Sequence, residues 1–461
     1  MWRDEKTPRK WRKGLIVKLP KKGNLKECKN WRGITLLPVV SKVTGRIVVD
    51  RIRTGVESEV RKEQAGFRPG RGTTEQIFIL RNIIEQSIEW PSSLYVNFID
   101  FEKAFDSVHR DSLWLIMRSY GIPSKIINIV KALYADFECA VVDGQDRTEW
   151  FKVKTGVKQG CNMSALLFIL VVDWVMRNTL KEGNTGIRWK FTTKLEDLDF
   201  ADDIALLSST RHHIQTKTDK LAHEAERVGL KVNVDKCKLM RINSRSNDGV
   251  EVNGQGIEDV DKFVYLGATV SKEGGGTEDI HNRVVKARGV FLRLKKIWSS
   301  NSISRRTKVR LYKTLVRPVL MYGCETWKMN KSDENKIDVF QSRCLRQIFK
   351  IQWQERITNK EVLKMAGMEN LSECVRRRRW KFIGHIMRKE PNNDCRTALT
   401  WTPEGRRKRG RPKTTWRKTA EREREKAGWK NWSEVQIAAA DRVGWRDCVE
   451  ALCATWHEED K

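Results

Sequence analysis

Three acidic side chains stand where packing alone would not put them. Asp100 closes Leu94-Tyr95-Val96-Asn97-Phe98-Ile99-Asp100-Phe101, a nearly continuous run of apolar and strand-forming residues that predicts a central strand buried on both faces. A carboxylate at the end of such a strand must be paired, hydrogen-bonded or metal-bound, because an isolated ionised group there would neutralise instead. Asp202 and Asp203 interrupt a second apolar run, Phe200 to Leu207, that predicts two short strands around a tight turn. Adjacent acids at a hairpin tip repel, and a divalent cation that takes hard oxygen ligands in octahedral geometry, Mg²⁺ above all, relieves that repulsion. If the two strands are sheet neighbours, Asp100 and Asp202 converge. With substrate phosphates they would then hold two ions about 3.5 to 4 Å apart, the arrangement that phosphoryl transfer requires. Taken alone, either motif reads more often as an ordinary turn or a satisfied strand-end cap.

The elements that must position these acids alternate irregularly, as in a mixed α+β domain. Leu15 to Leu19, ending at Pro20 and the turn-like Lys21-Lys22-Gly23-Asn24, predicts a strand and hairpin, and Gly33 to Leu37 a second short strand. After Pro38, Ser41 is positioned to cap a helix carrying Val43, Ile47, Val48 and Ile52. Asn243 to Gly256 signals turns around a hairpin, and Gly274-Gly275-Gly276 marks a break, beyond which Ile280 to Ile351 reads as helices. Arg376 to Lys418 holds sixteen Lys or Arg against three acids and reads as a different module.

The chain has 461 residues, a formal charge of +31 and 39% apolar types, which exclude a disulfide-stapled miniprotein and a wholly disordered chain. Lys and Arg at that excess ask for a polyanionic partner, nucleic acid first, although a solvated basic surface explains charge alone equally well. The longest apolar stretch, Ala165 to Val172, is far below the roughly 20 residues of a membrane helix. Charges at Arg3, Asp4, Glu5 and Lys6, where a secretory signal carries an apolar core, argue against export and for reduced cysteines.

Together the motifs resemble the reverse transcriptases of non-LTR (LINE-type) retrotransposons, most of all the RTE-like group, over Leu15 to about Val270. The resemblance rests on Lys21-Lys22-Gly23 with Asn30 to Leu37, on Gln64-Ala65-Gly66-Phe67-Arg68-Pro69-Gly70-Arg71-Gly72-Thr73-Thr74, on Ile99 to Asp106, on Thr155 to Cys161, on Phe200-Ala201-Asp202-Asp203, on Gly229 to Asn233 leading to Lys236, and on Phe263 to Gly267. It implies a right-hand polymerase of the α+β class: fingers over 1–92, palm over 93–272, helical thumb over 273–351, and a basic, Trp-rich, mostly helical C-terminal region over 352–461. By the same resemblance Asp100, Asp202 and Asp203 hold two Mg²⁺ ions, with Mn²⁺ as a substitute, and Lys236 protonates the pyrophosphate leaving group. Lys22 and Arg32 contact the incoming triphosphate, as a mobile point charge and a planar fork suit phosphate oxygens. Phe105 lies under the sugar, where it would clash with a ribose 2′-hydroxyl. Gln159 and Gly160 belong to the loop that positions nucleotide and template, and Tyr265, Leu266 and Gly267 to the primer grip. Arg68 either touches nucleic acid or braces the fingers. The chain departs from the family where Ala165 replaces a helix-starting proline, which is expected to lower activity without removing a catalytic side chain.

In the basic tail, Arg406-Arg407-Lys408-Arg409-Gly410-Arg411-Pro412-Lys413 resembles an AT-hook, in which Arg409 and Arg411 would enter a narrow minor groove. It would serve equally as a nuclear localisation signal or a phosphate clamp. Arg376 to Trp380 reads either as a stacking platform or as a solvated helix face with one buried Trp. The expected partners are therefore an RNA template, a DNA primer or target and deoxynucleotides, with no membrane, and the expected location is the nucleus after cytoplasmic synthesis. The chain begins almost at the fingers, which reads as an open reading frame truncated ahead of an endonuclease. The competing reading is a decayed element that only binds nucleic acid.

Overall fold

A computed structural model describes residues 2–459, without Lys22, Arg245, Asn247, Arg411 and Pro412 and without the side chains of Lys29 and residues 453–459. Lys22 and Arg411, given nucleotide- and DNA-contacting roles by their motifs, lie outside the described residues. The chain opens with strands β1 (Lys13–Pro20) and β2 (Trp31–Leu36), an antiparallel hairpin in which Leu15 faces Leu36 and Pro20 faces Trp31. Helices α1 (Val39–Val56) and α2 (Thr73–Glu89) lead to β3 (Leu94–Ile99). Strand β4 (Glu138–Asp143) returns to pair in parallel with β1. Helix α3 (Asn162–Thr179) precedes the hairpin of β5 (Asp197–Phe200) and β6 (Asp203–Ser208), followed by α4 (Arg211–Arg227) and β7 (Lys238–Ile242). A last hairpin, β8 (Lys262–Tyr265) and β9 (Ala268–Ser271), gives way to helices, chief among them α5 (Thr277–Arg293), α6 (Lys331–Phe349), α7 (Leu371–Met387) and α8 (Trp416–Lys426).

The central sheet runs from a two-residue strand, Glu258–Asp259, through β7, β3 and β6 to β5, with β3 antiparallel to both neighbours. Its period of two explains the unbroken apolar run of β3. Tyr95 and Ile99 pack with Ile204 and Leu206 into a core shared with α1, α3 and α4, while Leu94, Val96 and Phe98 pack with Ala205, Leu207 and Met240 into a second core under α2. Asn97 breaks the apolar pattern on the α4 side and is satisfied there, its amide donating to Thr218 Oγ1 at 2.9 Å. The α1 cap differs from expectation: the helix already starts at Val39, behind Pro38, with Ser41 buried in its first turn, and α2 follows Gly72, which offers it no side-chain cap. Among the described residues no helix is long and apolar enough to cross a membrane.

The C-terminal region does not stand apart as its composition implies. Val362 to Val375 complete the core of α5 and α6, and from Trp380 onward the chain contributes to the second palm core, where Trp380, Trp416 and Trp445 lie with Phe78, Ile83 and Val96. Trp416 is fixed on three sides. Its ring meets Phe78 edge-on at 4.7 Å, its backbone N–H donates to Glu85 at 2.8 Å, and its indole N–H donates to the Glu325 carbonyl at 2.8 Å. Arg376 to Arg379 are correspondingly spent on ion pairs: Arg376 with Glu334, Arg377 with Glu369 and Glu450, and Arg379, fully buried, with Glu423. That helix face is therefore the solvated and packed alternative, and no stacking platform. Replacing Trp416 by Ala should cost roughly 3 to 5 kcal/mol in chemical denaturation, whereas a separate tail would leave the unfolding midpoint of the palm where it was.

Candidate active site

The register of β3 and β6 brings the predicted acids together. Ile204 stands opposite Ile99 as the last pair of the register, so Asp203 and Asp100 each lie one residue beyond it at the same end of the sheet, where the Asp100 charge acts on Asp203. The backbone of Asp100 is held from the other side by the segment after α4: its carbonyl accepts from Asn233 N at 2.8 Å, Glu102 N donates to the Lys231 carbonyl at 2.8 Å, and Phe101 bridges to Val232. The same segment delivers Lys236, whose Nζ lies 3.1 Å from Asp100 Oδ1. Asp202 occupies the turn between β5 and β6. Burial and then the Asp100 charge raise its pKa, while Arg32 and Lys236 pull it back, which places all four groups within one electrostatic neighbourhood. Asp203 keeps one face open to solvent but is otherwise surrounded by protein, and this burial together with Asp202 and Asp100 pushes it up to about 6.

The turn rests on residues 61–66. Gln64, fully buried, accepts hydrogen bonds from Ala201 N and Gly66 N, both at 2.8 Å, and Gly66 is pressed so closely on Ala201 that a Cβ would run into its backbone. Behind them Arg61 pairs with Asp197 and, at 3.4 Å, with Asp199, two buried acids on one face of β5. Burial alone would lower the Arg61 pKa, but Asp197, Asp199 and Glu63 together raise it; Asp199 is driven well above the usual carboxylate range by burial and by Asp197. The sequence carries a signal for this cluster. Asp197 and Asp199 alternate with Leu198 and Phe200, so both acids of a buried strand face the same way and demand a cation.

The fingers hairpin reaches over this site. Arg32 on β2 acts on Asp202, and Lys21 at the hairpin end acts on Asp106, whose own carboxyl is raised mainly by burial. The predicted nucleotide loop docks on the same hairpin: Thr35 N donates to the Gln159 carbonyl at 2.7 Å, and Gly160, at φ +106°, comes so near Thr35 that a Cβ would sit 2.6 Å from its carbonyl oxygen. Phe105 is half-buried and stacks on Phe168 of α3, ring centroids 4.4 Å apart. Lys158, which no local sequence signal marks out, is buried under this loop, donates to the Leu133 carbonyl at 2.7 Å and lies over the rings of Tyr134 and Phe137. Burial lowers its pKa to about 7.

Two predicted contacts are corrected. Arg68 is buried and its guanidinium is used up by the Glu57 carboxylate and by the carbonyls of Glu57, Arg61 and Gln64, so it braces the fingers and touches no nucleic acid. Tyr265 is also buried, its hydroxyl donating to the Leu198 carbonyl at 3.0 Å, and presents no surface to a primer. Leu266 and Gly267 form the tight turn of the β8–β9 hairpin at φ +47° and +79°. Their carbonyls accept from Tyr322 Oη at 2.8 Å and from Arg283, which ties the hairpin to the helices behind it. In the basic segment Lys408 N donates to the Glu89 carbonyl at 3.0 Å and Arg407 pairs with the Glu89 carboxylate, beside a cavity of about 520 Å³ lined also by Arg409, Lys413 and Lys328. Glu89 ends α2, a few residues before β3 begins and so at the opposite end of that strand from Asp100.

A palm sheet with acids at the ends of neighbouring strands, a basic hairpin above them and a helical region beyond is the framework of a template-directed polymerase. The family model for reverse transcriptase (RNA-dependent DNA polymerase) matches residues 19–270, and the chain belongs to that family. A second model, a domain of unknown function, matches residues 290–322. Among curated proteins, the RNA-directed DNA polymerase from mobile element jockey of Drosophila melanogaster is 26% identical over 76% of this chain and 39% of its own length. The Pol polyprotein from retrotransposable element R2DM of the same fly is 30% identical over 50% of this chain and 21% of its own. The chain thus spans well under half of these relatives. A solved telomerase from Candida tropicalis, in complex with a fragment of telomeric RNA, aligns with 86% of this chain and 65% of its own at 13% identity and a TM-score of 0.46.

Asp203 supplies a test of the crowding. An acid whose folded pKa is raised binds more protons folded than unfolded, so its contribution to stability falls as pH rises from about 4 to the folded value of about 6. Asp203→Asn should therefore raise the melting temperature of the metal-free chain at pH 8, with a smaller gain at pH 5; equal shifts at both would remove the repulsion argument.

Proposed function

We propose that the chain is an RNA-directed DNA polymerase of a non-LTR retrotransposon, extending a primer 3′-hydroxyl on an RNA template. The observation that carries this reading is the meeting of Asp100 with Asp202 and Asp203 at the ends of paired strands, under Arg32. Asp100, Asp202 and Asp203 are hard ligands of the kind Mg²⁺ takes and would hold the ions together with substrate phosphates, since among the described residues no three acids, cysteines or histidines close into a metal cluster by themselves. Burial first, and then the neighbouring acids, raises the pKa values of Asp202 and Asp203, which a bound cation would relieve. Bound there, the ions would neutralise charge on the transferring phosphoryl group.

The remaining steps fall to the chain's own side chains. Arg32 offers a bidentate fork to triphosphate oxygens, and Lys22 joins it by its place in the motif. The Gln159 and Gly160 backbone, laid along β2, supports the nascent base pair, and the Phe105 ring, fixed by Phe168, closes the 2′ side of the sugar against a hydroxyl. Lys236 holds a proton at Nζ for the departing pyrophosphate. The Leu266–Gly267 turn, anchored by Tyr322 and Arg283, supports the primer end. Positioning and electrostatics of this kind supply most of the rate in phosphoryl transfer.

Primer extension on an RNA template with Mg²⁺ tests the reading. Asp202→Ala should lose more than the roughly 100-fold that changes around a metal site's ligands cost. A wild-type chain that binds RNA but extends nothing would leave a nucleic-acid-binding remnant. The basic segment is tested by salt: Arg406→Ala or Arg409→Ala should each reduce the slope of log affinity for duplex DNA against log salt by about 0.9. Arg407→Ala, already paired with Glu89, should change it less.

A further inference from the structure

Ala201 decides where Asp202 points. It is the residue between the end of β5 and the acid, it is buried, and its backbone stands at φ +59°, a left-handed conformation that residues with a Cβ adopt at a cost. Such a conformation persists only where its surroundings impose it. Here they are concentrated in one side chain from a different part of the chain. Gln64 Oε1 receives two backbone donors, Ala201 N and Gly66 N, each at 2.8 Å, and because both partners are N–H groups the amide orientation is fixed by chemistry. Its Nε2 faces the Ala201 carbonyl at 3.5 Å. The Gln64 amide thus holds Ala201 by both of its polar groups, in the manner of a neighbouring strand.

Gln64 itself does not move freely. Its carbonyl accepts from Arg68 at 3.0 Å, the next residue, Ala65, donates to the Asp199 carbonyl at 2.9 Å, and Gln76 Nε2 ties the carbonyls of Glu63 and Asp199 together at 3.0 and 3.2 Å. Arg61 locks β5 from beneath through Asp197 and Asp199. We propose that Gln64 is a positioning residue for Asp202, acting through Ala201 to hold the acid at the distance from Asp100 that a metal pair needs. The proposal rests on Asp202 being a metal ligand and adds the group that places it.

The experiment uses the full chain with Gln64→Met, which keeps length and loses both hydrogen-bonding functions, and Gln64→Glu, which keeps the acceptor but sets a carboxylate oxygen against the Ala201 carbonyl when ionised. Three readings are taken: melting temperature, Mn²⁺ affinity by calorimetry, and kcat and KM for deoxynucleotide in primer extension. Gln64→Met should weaken Mn²⁺ binding by about 10- to 100-fold, as loss of a group that orients a ligand does. It should lower kcat by up to about 100-fold, the cost of a displacement near 1 Å, with KM for deoxynucleotide within about twofold of wild type. For Gln64→Glu, kcat relative to wild type at the same pH should fall as pH rises and the introduced carboxyl ionises. A folded Gln64→Met chain with a lower melting temperature but unchanged Mn²⁺ affinity and kcat overturns the proposal, leaving Gln64 a packing residue. If that variant does not fold, Gln64→Asn, which keeps the amide but shortens its reach, decides instead: unchanged Mn²⁺ affinity and kcat in that folded variant overturn the proposal. Should the wild type extend no primer, the Mn²⁺ titration still decides the positioning claim apart from the polymerase reading.

Discussion

Like charges forced together are the constraint on which this molecule turns. The pairing of β3 with β6 leaves Asp100 and Asp203 at the same end of the sheet, and the turn before β6 adds Asp202. Nothing about stability favours that arrangement; burial and mutual repulsion both work against the ionised acids. Much of the surrounding architecture offsets this strain: a lysine on Asp100, an arginine above Asp202, and two strands' worth of backbone hydrogen bonds that keep the acids from separating.

A second, inverted charge problem lies one layer deeper. Asp197 and Asp199 are more buried than the acids they support, yet they face Arg61 and serve as a foundation. The same hairpin therefore carries two kinds of carboxylate. One kind is neutralised from within the protein and fixes geometry; the other is left short of cationic partners and retains the capacity to take one from outside.

How much of this was legible in the sequence follows from range. Asp100 and the Asp202–Asp203 pair announced themselves because each interrupts a local apolar run, and the hairpins around them followed from turn residues close by. Arg68 stays open between two roles in the sequence, and Tyr265 receives one its burial does not suit, because a motif names a residue without saying whether its polar group is already engaged; four acceptors surround Arg68, and Leu198 takes the Tyr265 hydroxyl. The docking of the Trp-rich region on α2 was invisible for another reason. Helix α2 is buried on nearly every side, yet its sequence interleaves Glu75, Gln76, Arg81, Asn82, Glu85 and Gln86 with apolar residues, and their partners lie up to hundreds of positions away. Charge density in the tail suggested a solvated module because composition cannot show that its arginines meet Glu334, Glu369 and Glu423.

That burial of α2 has a consequence for biogenesis. Translation releases the palm strands long before Trp380, Trp416 and Trp445, which cover the far side of α2. Until those tryptophans leave the ribosome, a nascent chain carries an open apolar flank beneath its finished catalytic edge. A chain arrested between Ser271 and Trp380 would therefore leave that flank of α2 uncovered.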